Sequence, residues 1–173
     1  MGRDKAALQY GDKPQSLVAY EMLSGCCAKV FLSCRQGQTS ELPAIHDVLE
    51  NIGPMGGILS ALTTHPDKAW LVLACDLPFL TAATLRDLIA RRDVSQLATA
   101  YRSAHDGLPE PLCAIYEPAI ADKLREFVAA GLVCPRKALI KLGVSLLDLP
   151  ETRALDNVNH PQEFEEARTA LKR

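Results

Sequence analysis

The sequence predicts an α/β fold carried by a mostly parallel sheet. Short apolar, β-branched runs alternate with longer stretches of helical period from end to end, the pattern of strand–helix–strand crossovers. The strongest run, AWLVLAC (Ala69–Cys75), is continuously apolar, as a central parallel strand covered on both faces would be. Length and composition agree: 173 residues, 48% hydrophobic and 23% charged, suit one globular domain over residues 1–173.

Taken in chain order, PQSLVAYEMLSG reads as a helix with Leu17, Tyr20 and Leu23 on one face and Gly25 at its end. AKVFLSC (Ala28–Cys34) reads as a strand, and GGILSALTTH as a helix that follows two glycines. After AWLVLAC comes TAATLRDLIARRD, where Thr81 is a plausible N-cap and Leu85, Leu88 and Ile89 recur at helical spacing. SQLATAY (Ser95–Tyr101) and PLCAIY (Pro111–Tyr116) are shorter strands. PAIADKLREFVAAG aligns Ile120, Leu124, Phe127 and Val128 on a stripe and stops at Gly131. VSLLDL (Val144–Leu149) is a last short strand, and PQEFEEARTALKR a closing helix with acids early and bases late, as the helix dipole favours.

A net charge of −2 argues against a nucleic-acid-coating surface. With no signal peptide, lipidation motif or long apolar span, a cytoplasmic protein without membrane attachment is expected. Six cysteines without C-x-x-C spacing lack the pattern of a zinc cage and read as reduced thiols used as small core residues.

In parallel sheets, ligands bind beyond the carboxyl ends of strands, so the residues that follow each strand are the place to look for chemistry. CDLPFL puts Asp76 directly after the strongest strand. That carboxylate either caps the next helix or holds a divalent cation among phosphate oxygens, and its position favours the cation. NIGPMGGILSAL sets Gly53, Gly56 and Gly57 ahead of a helix, where a ligand can approach the main chain and helix N–H groups; many such turns merely turn. Asp47 precedes Gly53 by six residues and is either part of that site or an exposed loop acid. In DNVNHP, Asn157 and Asn159 point to one side of an extended segment and form either a polar clamp or a turn before a helix.

Read in order, MGRDKAAL, IGPMGGILSAL, WLVLACDLPFL, EPLCAIYEP and LDNVNHPQEFEEA resemble the molybdenum cofactor guanylyltransferase family, also called molybdopterin-guanine dinucleotide biosynthesis protein A. The likeness runs from Met1 to about Ala167. It implies a three-layer Rossmann-like nucleotidyltransferase fold and transfer of GMP from GTP to molybdopterin with release of pyrophosphate. The family signature, approximately L-A-G-G-x-S-x-R-M-G-x-D-K after a first strand, is represented from Met1 to Lys5. The strand and paired glycines that precede it in the family are expected to belong to the natural protein.

By the same resemblance Lys5 meets the triphosphate, Asp76 holds Mg²⁺, and Asp47 lies at the guanine-nucleotide pocket. Gly53, Gly56 and Gly57 let base and ribose approach the main chain, and Asn157 and Asn159 line the side where the second substrate meets the metal. GTP and molybdopterin are the implied partners, with transient contact to other cofactor-biosynthesis proteins or molybdoenzymes. SCRQGQ departs from the family's asparagine-bearing turn, which leaves base contacts there open. A cytidylyltransferase making the cytosine form of the cofactor, and a non-catalytic nucleotide-binding module on the same fold, are the rival readings.

Overall fold

β5 (Pro109–Tyr116) is the strand around which the described residues, 13–156, of this computed structural model are arranged. The elements run α1 (Gln15–Ser24), β1 (Leu32–Cys34), β2 (Ala44–His46), α2 (Pro54–Thr64), β3 (Trp70–Leu73), α3 (Ala82–Ala90), β4 (Ala98–Arg102), β5, α4 (Ile120–Ala129), α5 (Pro135–Leu142) and β6 (Ser145–Leu147). Among the described residues one sheet has the order β3-β5-β4-β6, and β1 and β2 form a separate parallel pair. β5 is antiparallel to β3 and β4, and β6 is parallel to β4. So β3, β4 and β6 point one way and β5 opposes them.

Strand alternation makes β5 the partition between two cores. Ala114 and Tyr116 face one cluster, with Leu59 and Leu62 of α2, Leu124 of α4 and Leu139 of α5. Cys113 and Ile115 face the other, with Leu85 and Leu88 of α3, and Met22 and Leu23 of α1 pack against it. Helices therefore cover both faces of the sheet, the three-layer arrangement. Prolines 109 and 111 remove two of the first three amide donors of β5, where the ladder to β4 shifts register between Ala100 and Arg102.

The helices expected in TAATLRDLIARRD and PAIADKLREFVAAG are present over Ala82–Ala90 and Ile120–Ala129, and Thr81 caps the first: its Oγ1 accepts from the Thr84 N–H at 3.2 Å. Other expectations shift. Among the described residues β3 stands at the end of its sheet's order and is part-buried, with Trp70 and Val72 packed against one core and Leu71 and Leu73 against the other. Gly56 and Gly57 lie inside the first turn of α2, not ahead of it, with Gly53 as N-cap and Pro54 at the first helical position. β2 and α5 occupy stretches for which the sequence pattern predicts no element. The closing helix expected over 161–173 lies outside the described residues. No described helix is long and apolar enough to cross a membrane.

Candidate active site

The wedge where β3 leaves β5 holds the first group of candidate residues. β3 ends at Leu73, the Ala74 N–H still donates to the Leu112 carbonyl at 2.8 Å, and Cys75 and Asp76 then turn away. β5 continues beyond that point toward Pro109. Between the diverging chains lies a cavity of about 160 Å³ lined by Asp76, Glu110, Leu112, Arg136 and Leu155. Asp76 is part-buried there, and because Thr81 is the cap of α3, the helix-capping alternative for Asp76 is set aside.

Two ion pairs shape the far wall. Arg136, in the first turn of α5, donates from Nη2 to Glu110 Oε2 at 2.9 Å and from Nη1 to Asp106 Oδ2 at 3.0 Å. Among the described residues no cluster of three or more His, Cys, Asp or Glu side chains is placed to hold a metal by itself. Asp76 fits Mg²⁺ all the same, because that ion is ordinarily bound by one or two carboxylates, with water and substrate phosphates completing its shell.

The second group gathers at the start of α2. β1 and β2 end side by side, and the Asp47 N–H extends their ladder by donating to the Cys34 carbonyl at 2.8 Å. Gly53 has φ +59°, in the left-handed region, and turns the chain into α2. A Cβ on Gly56 would sit 3.5 Å from the Asp47 carboxylate and 2.9 Å from the Leu49 carbonyl oxygen, and one on Gly57 would strike the Ser33 hydroxyl. The resemblance had these glycines admit base and ribose to the main chain. At Gly56 and Gly57 that space is filled by the protein's own Asp47, Leu49 and Ser33, so here they let two strand ends press on a helix start.

Asp47 is the electrostatically stressed member of this group. Burial raises its pKa above the usual carboxylate value, against the opposing pull of Arg35, His46 and a hydrogen bond from Ser33. Its Oδ1 is buried with no hydrogen-bond partner among the described residues. The same burial, reinforced by Asp47, raises the pKa of the Cys34 thiol. An orphaned buried acceptor at a helix N-terminus costs stability, which suits a group kept for a ligand.

Residues 1–144 match the MobA-like NTP transferase domain. The chain belongs to that family, a family of nucleotidyltransferases. It is 35% identical over 169 residues to the molybdenum cofactor biosynthesis bifunctional protein of Synechocystis sp., covering 95% of this chain and 49% of that protein, so it spans about half of that relative's length. A probable molybdenum cofactor guanylyltransferase of Mycobacterium tuberculosis is 34% identical over 170 residues, covering 92% of this chain and 82% of the relative.

Among solved structures, molybdopterin-guanine dinucleotide biosynthesis protein A from Archaeoglobus fulgidus superposes with a TM-score of 0.76 at 22% identity, covering 99% of this chain and 92% of that one. 2-C-methyl-D-erythritol 4-phosphate cytidylyltransferase from Thermus thermophilus gives 0.74 at 15%, covering 98% and 94%. At such identities the two share the fold with the MobA-like chain.

Within this MobA-like chain the structure separates Asp76, at the wedge cavity, from Asp47 and the three glycines, at the start of α2. Lys5, Asn157 and Asn159 lie outside the described residues. Leu155, two positions before Asn157, lines the Asp76 cavity. Sequence reasoning missed Glu110 and Arg136, which come from distant segments with no shared motif. The signal available was EPL itself, an acid placed before the expected strand.

Proposed function

We propose that this MobA-like chain transfers GMP from GTP to the terminal phosphate of molybdopterin, forming molybdopterin guanine dinucleotide and pyrophosphate. One observation carries the reading: CDLP, EPLC and the segment leading into DNVN, far apart in sequence, contribute Asp76, Glu110 and Leu155 to a single cavity. The mycobacterial relative is named a probable molybdenum cofactor guanylyltransferase and the Archaeoglobus one a molybdopterin-guanine dinucleotide biosynthesis protein, which supports this chemistry, and the Synechocystis relative supports molybdenum cofactor biosynthesis.

In this reading a phosphate oxygen of molybdopterin attacks the α-phosphorus of GTP. A new P–O bond forms there as the bond to the β-phosphate oxygen breaks, and pyrophosphate leaves with that electron pair. The protein's work is to position two anions and offset their charge. Asp76 would hold Mg²⁺ together with triphosphate oxygens, and the ion would supply charge neutralisation at the phosphates. Lys5 contributes a cation to the triphosphate. Asp47, set on the first turn of α2 by Gly53, Gly56 and Gly57, serves the guanine nucleotide. Asn157 and Asn159 serve the acceptor side. The site operates in one domain spanning 1–173, in the cytoplasm, with transient hand-over of the product to cofactor-biosynthesis proteins or molybdoenzymes.

The test is pyrophosphate release by the full-length natural protein with molybdopterin and Mg²⁺, using GTP or CTP. Turnover with GTP, lost in Asp76→Ala, is expected. Turnover with CTP alone would overturn the guanylyl assignment, and an Asp76→Ala variant as active as the parent would overturn the role of this cavity.

A further inference from the structure

The Asp76 cavity carries a second carboxylate whose orientation is fixed. Glu110 leaves β5 at the position two before Leu112, so the alternation of the strand turns it toward the α5 face. There Arg136 Nη2 holds its Oε2 at 2.9 Å. Arg136 is itself anchored by Asp106 at 3.0 Å, and Asp106 Oδ1 accepts from the Leu108 main-chain N–H at 3.0 Å. The β4–β5 turn thus sets Asp106, Asp106 sets Arg136, and Arg136 sets Glu110. The Glu110 side chain is 19% exposed, and its Oε1 accepts no hydrogen bond among the described residues.

A carboxylate with one oxygen pinned still has acceptor capacity on both oxygens, and it complements a ligand edge with two adjacent N–H donors. The 2-amino-4-oxo-pyrimidine ring shared by pterins and guanine has that edge, an exocyclic amino group beside a ring N–H. At about 160 Å³ the cavity is well below the size of a pocket that engulfs a whole cofactor, so with Asp76 committed to Mg²⁺ it admits the edge of a ring and not a whole ring system. Asp47 does not line this cavity and offers a separate carboxylate for the other heterocycle.

We infer that Glu110 reads the donor edge of the acceptor substrate's pterin ring, with Arg136 as the positioning residue that holds its carboxylate. The inference rests on the reading of this cavity as the acceptor side of a guanylyl transfer. It adds a specificity determinant: an analogue with a 2-oxo group in place of the amino group leaves a Glu110 oxygen facing another acceptor, and is rejected.

The experiment is fluorescence titration of free pterin and of lumazine, its 2-oxo analogue, against the full-length protein with Mg²⁺, alongside calorimetric titration of GTP. The parent protein is expected to bind pterin about tenfold or more tightly than lumazine. Glu110→Gln is expected to lose that preference, since an amide offers one acceptor and one donor, with its GTP affinity unchanged. Glu110→Asp is expected to keep the preference at weaker affinity, and Arg136→Met to weaken pterin several-fold.

A parent protein without preference overturns the inference whether or not the variants fold. So does a Glu110→Gln variant that keeps the preference. Loss of GTP affinity instead would assign the edge to guanine, and a change confined to the Mg²⁺ dependence would make Glu110 a metal ligand; each overturns the inference too. Failure of the guanylyl-transfer reading shows separately, as absence of GTP-dependent pyrophosphate release in the parent protein.

Discussion

The Asp47 carboxylate lies against the α-carbon of Gly56, so close that a methyl group there would sit 3.5 Å from its Cγ. Next to it Gly57 faces the Ser33 hydroxyl with no room for a side chain. The ends of β1 and β2 reach the start of α2 because that turn has two residues without a Cβ.

Gly57→Ala is expected to cost about 1–3 kcal/mol, read from urea denaturation, because the new methyl meets the Ser33 Oγ. Adding Ser33→Ala should recover most of the loss, with Ser33→Ala alone completing the cycle. Gly56→Ala should not be recoverable in that way, since its methyl meets the Leu49 main-chain oxygen at 2.9 Å. If Ser33→Ala rescues both variants equally, this account of the two glycines is wrong.

The Asp47 carboxyl has a pKa raised from its ordinary 3.8, by burial above all. The unfolded chain therefore loses this proton at lower pH than the folded one, and stability falls as pH rises from about 3.8 to the folded-state pKa, with the full penalty present above it. Asp47→Asn should raise the Tm of the nucleotide-free protein at pH 7 by about 2–4 °C, leave it unchanged near pH 3, and weaken GTP binding. A Tm that drops at pH 7 would show the carboxylate to be stabilising.

Arg92 and Glu117 form a two-pronged pair, Nε to Oε1 at 2.6 Å and Nη2 to Oε2 at 2.7 Å, with the Glu117 side chain only 9% exposed. Arg92→Met strands that carboxylate and is expected to cost about 3 kcal/mol in chemical denaturation. The double variant with Glu117→Gln should cost less than Arg92→Met alone. Equal losses would mean the buried charge is satisfied elsewhere.

Asp76 and Thr81 separate chemistry from capping. Thr81→Ala removes the acceptor for the Thr84 N–H and should lower stability by about 1 kcal/mol while kcat holds. Asp76→Asn should do the reverse, abolishing Mg²⁺-dependent turnover in a protein that still melts cooperatively. Turnover surviving in Asp76→Asn would remove the metal from this residue.

The parts legible in the sequence were those with long periodicity or a local signal. α3 announced itself through Thr81, Leu85 and Leu88, and α4 through Ile120 and Leu124; Asp76 was found because it follows a strongly apolar run. That run told of burial but not of neighbours, so the reversal of β5 beside it was not visible. β2 has three residues, too few for any period. α5 has eight, and its punctuation, Pro135 at the first position and the left-handed Gly143 after the last, was there to be read. Glu110 and Arg136 are joined only by the fold, 26 positions apart.

Because β5 is paired on both sides while β1 and β2 have three residues each, the two halves of the candidate site rest on scaffolds of unequal rigidity. Amide hydrogens of Cys113–Tyr116 should exchange with solvent only through global opening, and those of β1 and β2 through small local excursions. One substrate then meets a preformed wall and the other a surface that tightens around it, so nucleotide should slow deuterium uptake mainly at Leu32–Cys34 and Ala44–His46.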